Sequence, residues 1–127
     1  MKIAIADNQN LRYDRDLLEH WEKFNDVKYE PGASEVLFQW CDVYYINYWD
    51  NNIHYLYKWH QDHPEVKKPK VICRAIDWEV WIGLCRDEAI ADWVDEIICI
   101  APHIKRKLEI ENMGMAGRVK LIIPGIN

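Results

Sequence analysis

Apolar positions along this chain alternate between two periods. Short runs of β-branched and aliphatic residues at 2–6, 27–30, 42–47, 71–74, 96–100 and 119–123 have the length and content of buried strands. Between them, apolar residues recur every three or four positions. Tyr13, Leu17, Trp21 and Phe24 form one helical stripe over 11–24, and Ile53, Leu56, Tyr57 and His60 form another over 51–62. Residues 33–40 predict a short helix capped by Ser34, with Val36, Leu37 and Trp40 turned inward. The stretch 78–94 predicts one helix through Trp78, Trp81, Ile82 and Cys85, then a shorter one over 88–94. Pro102 suits the first turn of a helix reaching 113, with Gly114 as its stop.

The order strand, helix, strand repeats throughout, and each connection is long enough to cross over between parallel strands. The expected fold is α/β: a three-layer, Rossmann-like, doubly wound and mainly parallel sheet of about six strands. With 127 residues the chain fits one domain, 1–127. Its last ten residues, R-V-K-L-I-I-P-G-I-N, read as a strand stopped by a Pro-Gly turn. A strand entering a turn normally leads onward, so the sequence is expected to be the first part of a larger protein.

Charge removes several classes. Lys+Arg 16 against Asp+Glu 21 gives a net charge of −5, which argues against a nucleic-acid partner. No apolar run approaches the roughly 18 residues of a membrane span. The opening run is cut at Asp7, too soon for a signal peptide, so a cytoplasmic protein is expected. Basic clusters at 67–70 and 105–107 read as solvated turns and helix faces, with approach to the inner membrane face as the alternative. Cys41, Cys73, Cys85 and Cys99 form no C-x-x-C pair and read as free thiols, those at 73 and 99 buried in apolar runs. His60 and His63 lie one helical turn apart at a surface helix end, without a Cys or carboxylate cluster, and no metal or cofactor is expected.

In a doubly wound sheet, ligands bind outside the carboxyl ends of the strands. The turns to inspect are Asp7-Asn8-Gln9-Asn10, Asn47-Tyr48-Trp49-Asp50, Arg74-Ala75-Ile76-Asp77-Trp78-Glu79, Ala101-Pro102-His103 and Gly125-Ile126-Asn127. The first turn has neither G-x-G-x-x-G nor a phosphate loop, and no G-x-S-x-G elbow occurs. NAD enzymes, nucleotide hydrolases and serine hydrolases of that type are therefore unsupported. Asp77 and Glu79 form an acidic pair after Arg74, suited either to a helix N-terminus or to accepting substrate hydroxyls.

Four segments resemble the N-terminal domain of retaining GT-B-fold glycosyltransferases of the family 4 type, related to sucrose and glycogen synthases. They are C-D-V-Y-Y-I-N from 41, K-V-I-C-R-A-I-D-W-E from 70, V-D-E-I-I-C-I-A-P-H-I-K-R-K-L from 94, and the closing R-V-K-L-I-I-P-G-I-N. The resemblance implies the acceptor-side half of an enzyme that moves a sugar from a nucleotide-sugar donor, with the C-terminal donor domain absent from this chain. Partners would be a sugar or glycolipid acceptor, plus the donor through the missing domain. Asn8, Asn10, Trp49, Arg74, Asp77, Trp78, Glu79 and His103 are the candidate substrate-binding residues. The carboxylates and amides would bond hydroxyls, Arg74 would hold an anionic group, and Trp faces would stack. Alone, the domain would have little or no activity, and its exposed interdomain face would favour self-association.

A bacterial response-regulator receiver is the alternative, as a degenerate or flavodoxin-like module without catalysis. I-A-D-N-Q from 5 resembles a receiver's acidic first turn, but Asn8 replaces an acid and Asn47 stands where the phosphoryl-accepting Asp belongs. An amide cannot form the acyl phosphate. Receivers also end before a sixth strand, which 119–123 would supply.

Overall fold

The computed structural model describes residues 1–7, 15–47, 51–75, 87–99, 101–111 and 119–121. Six strands, β1 (Lys2–Ala6), β2 (Asp26–Glu30), β3 (Val43–Asn47), β4 (Lys70–Ala75), β5 (Glu96–Cys99) and β6 (Val119–Leu121), form one sheet in the order β2-β1-β3-β4-β5-β6. Every neighbouring pair is parallel. Five helices are described: α1 (Arg15–Glu22), α2 (Glu35–Trp40), α3 (Asn51–Asp62), α4 (Glu88–Trp93) and α5 (Pro102–Glu111). The fold is the expected three-layer, Rossmann-like α/β sandwich.

Each face of the sheet has its own core. On one face Ile3, Ile5 and Tyr45 pack against Leu17, Leu18 and Trp21 of α1. Trp21 meets the Tyr45 ring edge-on at 5.6 Å. On the other, Ala4, Ala6, Tyr44, Ile46, Val71, Cys73 and Ile97 meet the buried residues of the remaining four helices. A strand buried on both sides must be apolar at every position, which is why the central strands read as continuous runs rather than alternations.

The described elements lie where expected, but two inward assignments change; the helix expected through Trp78, Trp81, Ile82 and Cys85 and the stop at Gly114 lie outside the described residues. Ser34 does cap α2, its hydroxyl accepting from Leu37 N at 3.2 Å. The buried residues of α2 are Leu37 and Phe38, whereas Val36 is 68% exposed. A helix of six residues has one narrow inward stripe, and adjacent positions 37 and 38 occupy it. Phe24 is 78% exposed, because α1 ends at Glu22 and the chain has already turned toward β2.

Phe38 anchors an aromatic cluster. Trp59, His60 and Trp93 have ring centroids 5.7, 5.5 and 6.0 Å from it, the last stacked. Trp93 Nε1 donates to His60 Nδ1 at 3.1 Å, so the His60 proton sits on Nε2 and is donated to the Val66 carbonyl at 2.9 Å. His63 Nδ1 lies 2.9 Å from the Trp59 carbonyl. These two histidines close the end of α3 onto the following turn, and His60 is packed among aromatic rings instead of lying on an open surface.

Acids pin the amino ends of the strands. Asp42 Oδ2 accepts from Lys2 N at 2.9 Å and Asp95 Oδ2 from Val71 N at 2.8 Å, each next to a backbone bond between the same residues. Farther across the sheet, Glu96 joins Lys70 at 3.3 Å and Lys120 at 2.9 Å. Those bonds, Lys120 first, hold the Glu96 carboxyl below its ordinary value of 4.5.

Two outcomes test this packing. Phe38→Ala should cost about 3–5 kcal/mol in urea unfolding, while Val36→Ala should stay within about 0.5 kcal/mol. A lowered carboxyl pKa stabilises the fold above the ordinary value and ceases to do so as pH falls through the folded value. Native stability should therefore decline more steeply below pH 4.5 than that of Glu96→Gln, measured by unfolding at a series of pH values.

Candidate functional site

The chain leaves β1 toward α1 on one face, and leaves β3 toward α3 on the other. These diverging exits, between two adjacent strands, mark the switch point at the carboxyl edge, where doubly wound sheets form their ligand crevice.

Polar residues at this edge interrupt apolar strands. Asn47 ends β3 and is fully buried, and its side-chain Nδ2 and Oδ1 have no hydrogen-bond partner among the described residues. Asp7 directly follows β1 and is also fully buried. It sits one step beyond the Ala6–Ile46 rung, so it continues beside Asn47. Arg74 of β4 is the register partner of Asn47. In-register residues of parallel strands project to the same face, here that of Ile5, Tyr45 and Ile72. Asp7, Asn47 and half-buried Arg74 thus form one row across three strand ends.

Tyr29 of β2 closes the row. Its hydroxyl donates to the Asp7 carbonyl at 2.9 Å, and Asp7 N donates to the Glu30 carbonyl at 3.3 Å. Burial first, and the Asp7 carboxylate second, push the Tyr29 phenol above its ordinary value, with Arg15 acting against them. A cationic group at the start of α1 therefore shares this neighbourhood. In α3, His54 has a buried Nε2 without a hydrogen-bond partner among the described residues. Asn52, one turn from the end of β3, accepts from Ala33 N at 3.0 Å and ties the start of α3 to the loop before α2.

Of the sequence candidates, Arg74 and His103 fall within this description. Arg74 is in the row, while His103 is exposed in the first turn of α5. They share the sheet edge without register pairing. Asn8, Asn10, Trp49, Asp77, Trp78 and Glu79 lie outside the described residues. Sequence reasoning had not selected Asp7, Tyr29 or Asn47 as ligand contacts. The available signal was a polar residue closing an apolar run, I-A-I-A-D and V-Y-Y-I-N.

Cysteine chemistry is disfavoured among the described residues. Cys41 is buried and burial pushes its thiol up to about 12; burial also raises Cys99, and Cys73 is fully enclosed. Thiols held this way are neutral at pH 7 and poor nucleophiles. No group of three or more His, Cys, Asp or Glu suited to a metal occurs among the described residues. Nor is any helix there long and apolar enough to cross a membrane. No protein-family model matches the chain, and no curated protein matches it either.

Native protein treated with iodoacetamide at neutral pH should remain unlabelled at Cys41, Cys73 and Cys99, all three reacting once urea is added. Peptide mass mapping reads this out, and rapid native labelling of Cys41 would refute the buried, neutral thiol.

Proposed function

We propose that the crevice at the ends of β1, β3 and β4 binds a hydroxyl-rich ligand of the sugar class. On this reading the chain is the acceptor-side half of a glycosyltransferase, whose nucleotide-sugar donor is held by a further C-terminal domain. The observation that carries it is the Asn47 carboxamide, buried at the switch point with its donor and acceptor both unused by the described residues. A buried amide left so costs about 1–3 kcal/mol, and a sugar hydroxyl, donor and acceptor in one atom, matches it. Asp7 offers acceptors to a second hydroxyl, and Arg74 offers a planar donor fork to an anionic group or ring oxygen.

A degenerate receiver-like or flavodoxin-like binding module is the second reading. It is favoured by the order β2-β1-β3-β4-β5, the flavodoxin order, with Asp7 and Asn47 at adjacent strand ends. The sixth strand and the amide at 47 count against phosphoryl transfer.

Ligand-observed NMR with a panel of methyl glycosides should reveal binders to the full chain. Asn47→Leu and Arg74→Ala should each weaken binding by about tenfold or more, with circular dichroism confirming the fold. A folded chain that binds no glycoside, yet takes up phosphate from acetyl phosphate and Mg²⁺, would sink this reading.

A further inference from the structure

We propose that a groove at the amino edge of the sheet, opposite the crevice, binds a phosphate-bearing small molecule. The groove encloses about 380 Å³ between Trp40 and Cys41 at the end of α2 and the Lys67-Lys68-Pro69-Lys70 turn before β4. That volume lies within the about 300–1,000 Å³ typical of small-ligand sites.

Its electrostatics separate two kinds of lysine. Lys68 is paired with Asp95, and Lys70 with Glu96, an acid it shares with Lys120. Lys67 has no carboxylate partner among the described residues. Lys28 and Lys2 hold their ammonium groups 4.5 and 5.9 Å from the Trp40 ring centroid, likewise without a carboxylate partner among the described residues. Asp42 is the acid on the groove wall, and its Oδ2 is engaged by the Lys2 backbone N–H. Lys67, Lys68 and Lys70 thus line the groove against the single carboxylate of Asp42, and Lys2 and Lys28 add positive charge at its Trp40 ring, in a chain of net charge −5.

This combination selects the size of the anion. A small dianion feels mainly the charges within a Debye length of about 8 Å, and on the groove wall three lysines outnumber the one carboxylate. An extended polyanion or an anionic bilayer would also meet the acidic remainder of the surface. The Trp40 ring and the Cys41 wall supply apolar contact for the body of the ligand, and the lysines hold its phosphate. Five residues of β3 separate the groove from the carboxyl-edge crevice, roughly 17 Å at strand rise. The proposal therefore stands independently of the sugar site.

Inorganic phosphate, added to the full ¹⁵N-labelled chain at constant ionic strength, is the test. Saturable shifts should appear at the Trp40 indole and at the amides of Lys67 and Lys68. Lys67 is exposed, so Lys67→Glu should fold normally and weaken binding by about tenfold, with Lys67→Arg retaining it. Equal shifts with chloride, or an unchanged affinity in Lys67→Glu, would overturn the proposal. So would Lys67-dependent sedimentation with phosphatidylglycerol–phosphatidylcholine vesicles alongside no response to soluble phosphate, an outcome that assigns the groove to a lipid surface.

Discussion

The need to bury both faces of the central pair β1 and β3 governs the rest of the molecule. Four of the five residues in each strand are buried. On the face of α2 to α5, register places Ala4 beside Tyr44 and Ala6 beside Ile46. A small residue on one strand makes room for a large one on its neighbour, which lets helices pack closely on the sheet. On the α1 face Ile5 stands beside Tyr45, and the Trp21 ring covers them. Tyr44 links the core to the periphery: its enclosed ring carries a hydroxyl that accepts from Ser34 N at 3.1 Å. Burial pushes that phenol up to about 12, so it remains neutral while bonding the start of α2.

Once strand interiors must be apolar, polar groups are confined to strand ends, and the two ends solve the problem differently. At the amino edge, Asp42 and Asp95 find backbone N–H groups on neighbouring strands and lock their register. Such acids are structural, for a carboxylate satisfied by main-chain donors has little left to offer a ligand. At the carboxyl edge, the exits toward α1 and α3 diverge, and no neighbouring strand start lies alongside to satisfy Asn47. Similar short polar side chains thus serve as fasteners at one end and remain chemically available at the other.

The elements were legible in the sequence because their periods differ. Helix starts at Ser34 and Pro102 were also readable, since each residue has a local reason to stand there. Phe38 escaped notice because a helix of six residues carries too few turns to separate one inward position from the next. The row of Asp7, Asn47 and Arg74 could not be read at all from spacing. These residues are adjacent only because β3 inserts beside β1 and β4 beside β3, facts of sheet order and register. Turn positions at the carboxyl edge were identifiable in advance; which of their residues would face one another was not.

Aromatic content shows how packing competes with binding for the same residues. Seven Trp in 127 residues suggested stacking surfaces for a ligand. Among the described residues, Trp21 covers Tyr45, Trp59 and Trp93 surround Phe38, and Trp40 lies under Lys28. Each has an occupation within the fold. Trp40 also packs against the core, and it carries two ammonium groups, Lys28 and Lys2, over its ring. Ammonium groups over an aromatic face are attracted by its quadrupole and keep positive charge there. The fold's demand for large apolar side chains therefore accounts for all four of these tryptophans, and Trp40 in addition marks where the core meets an electrostatic surface.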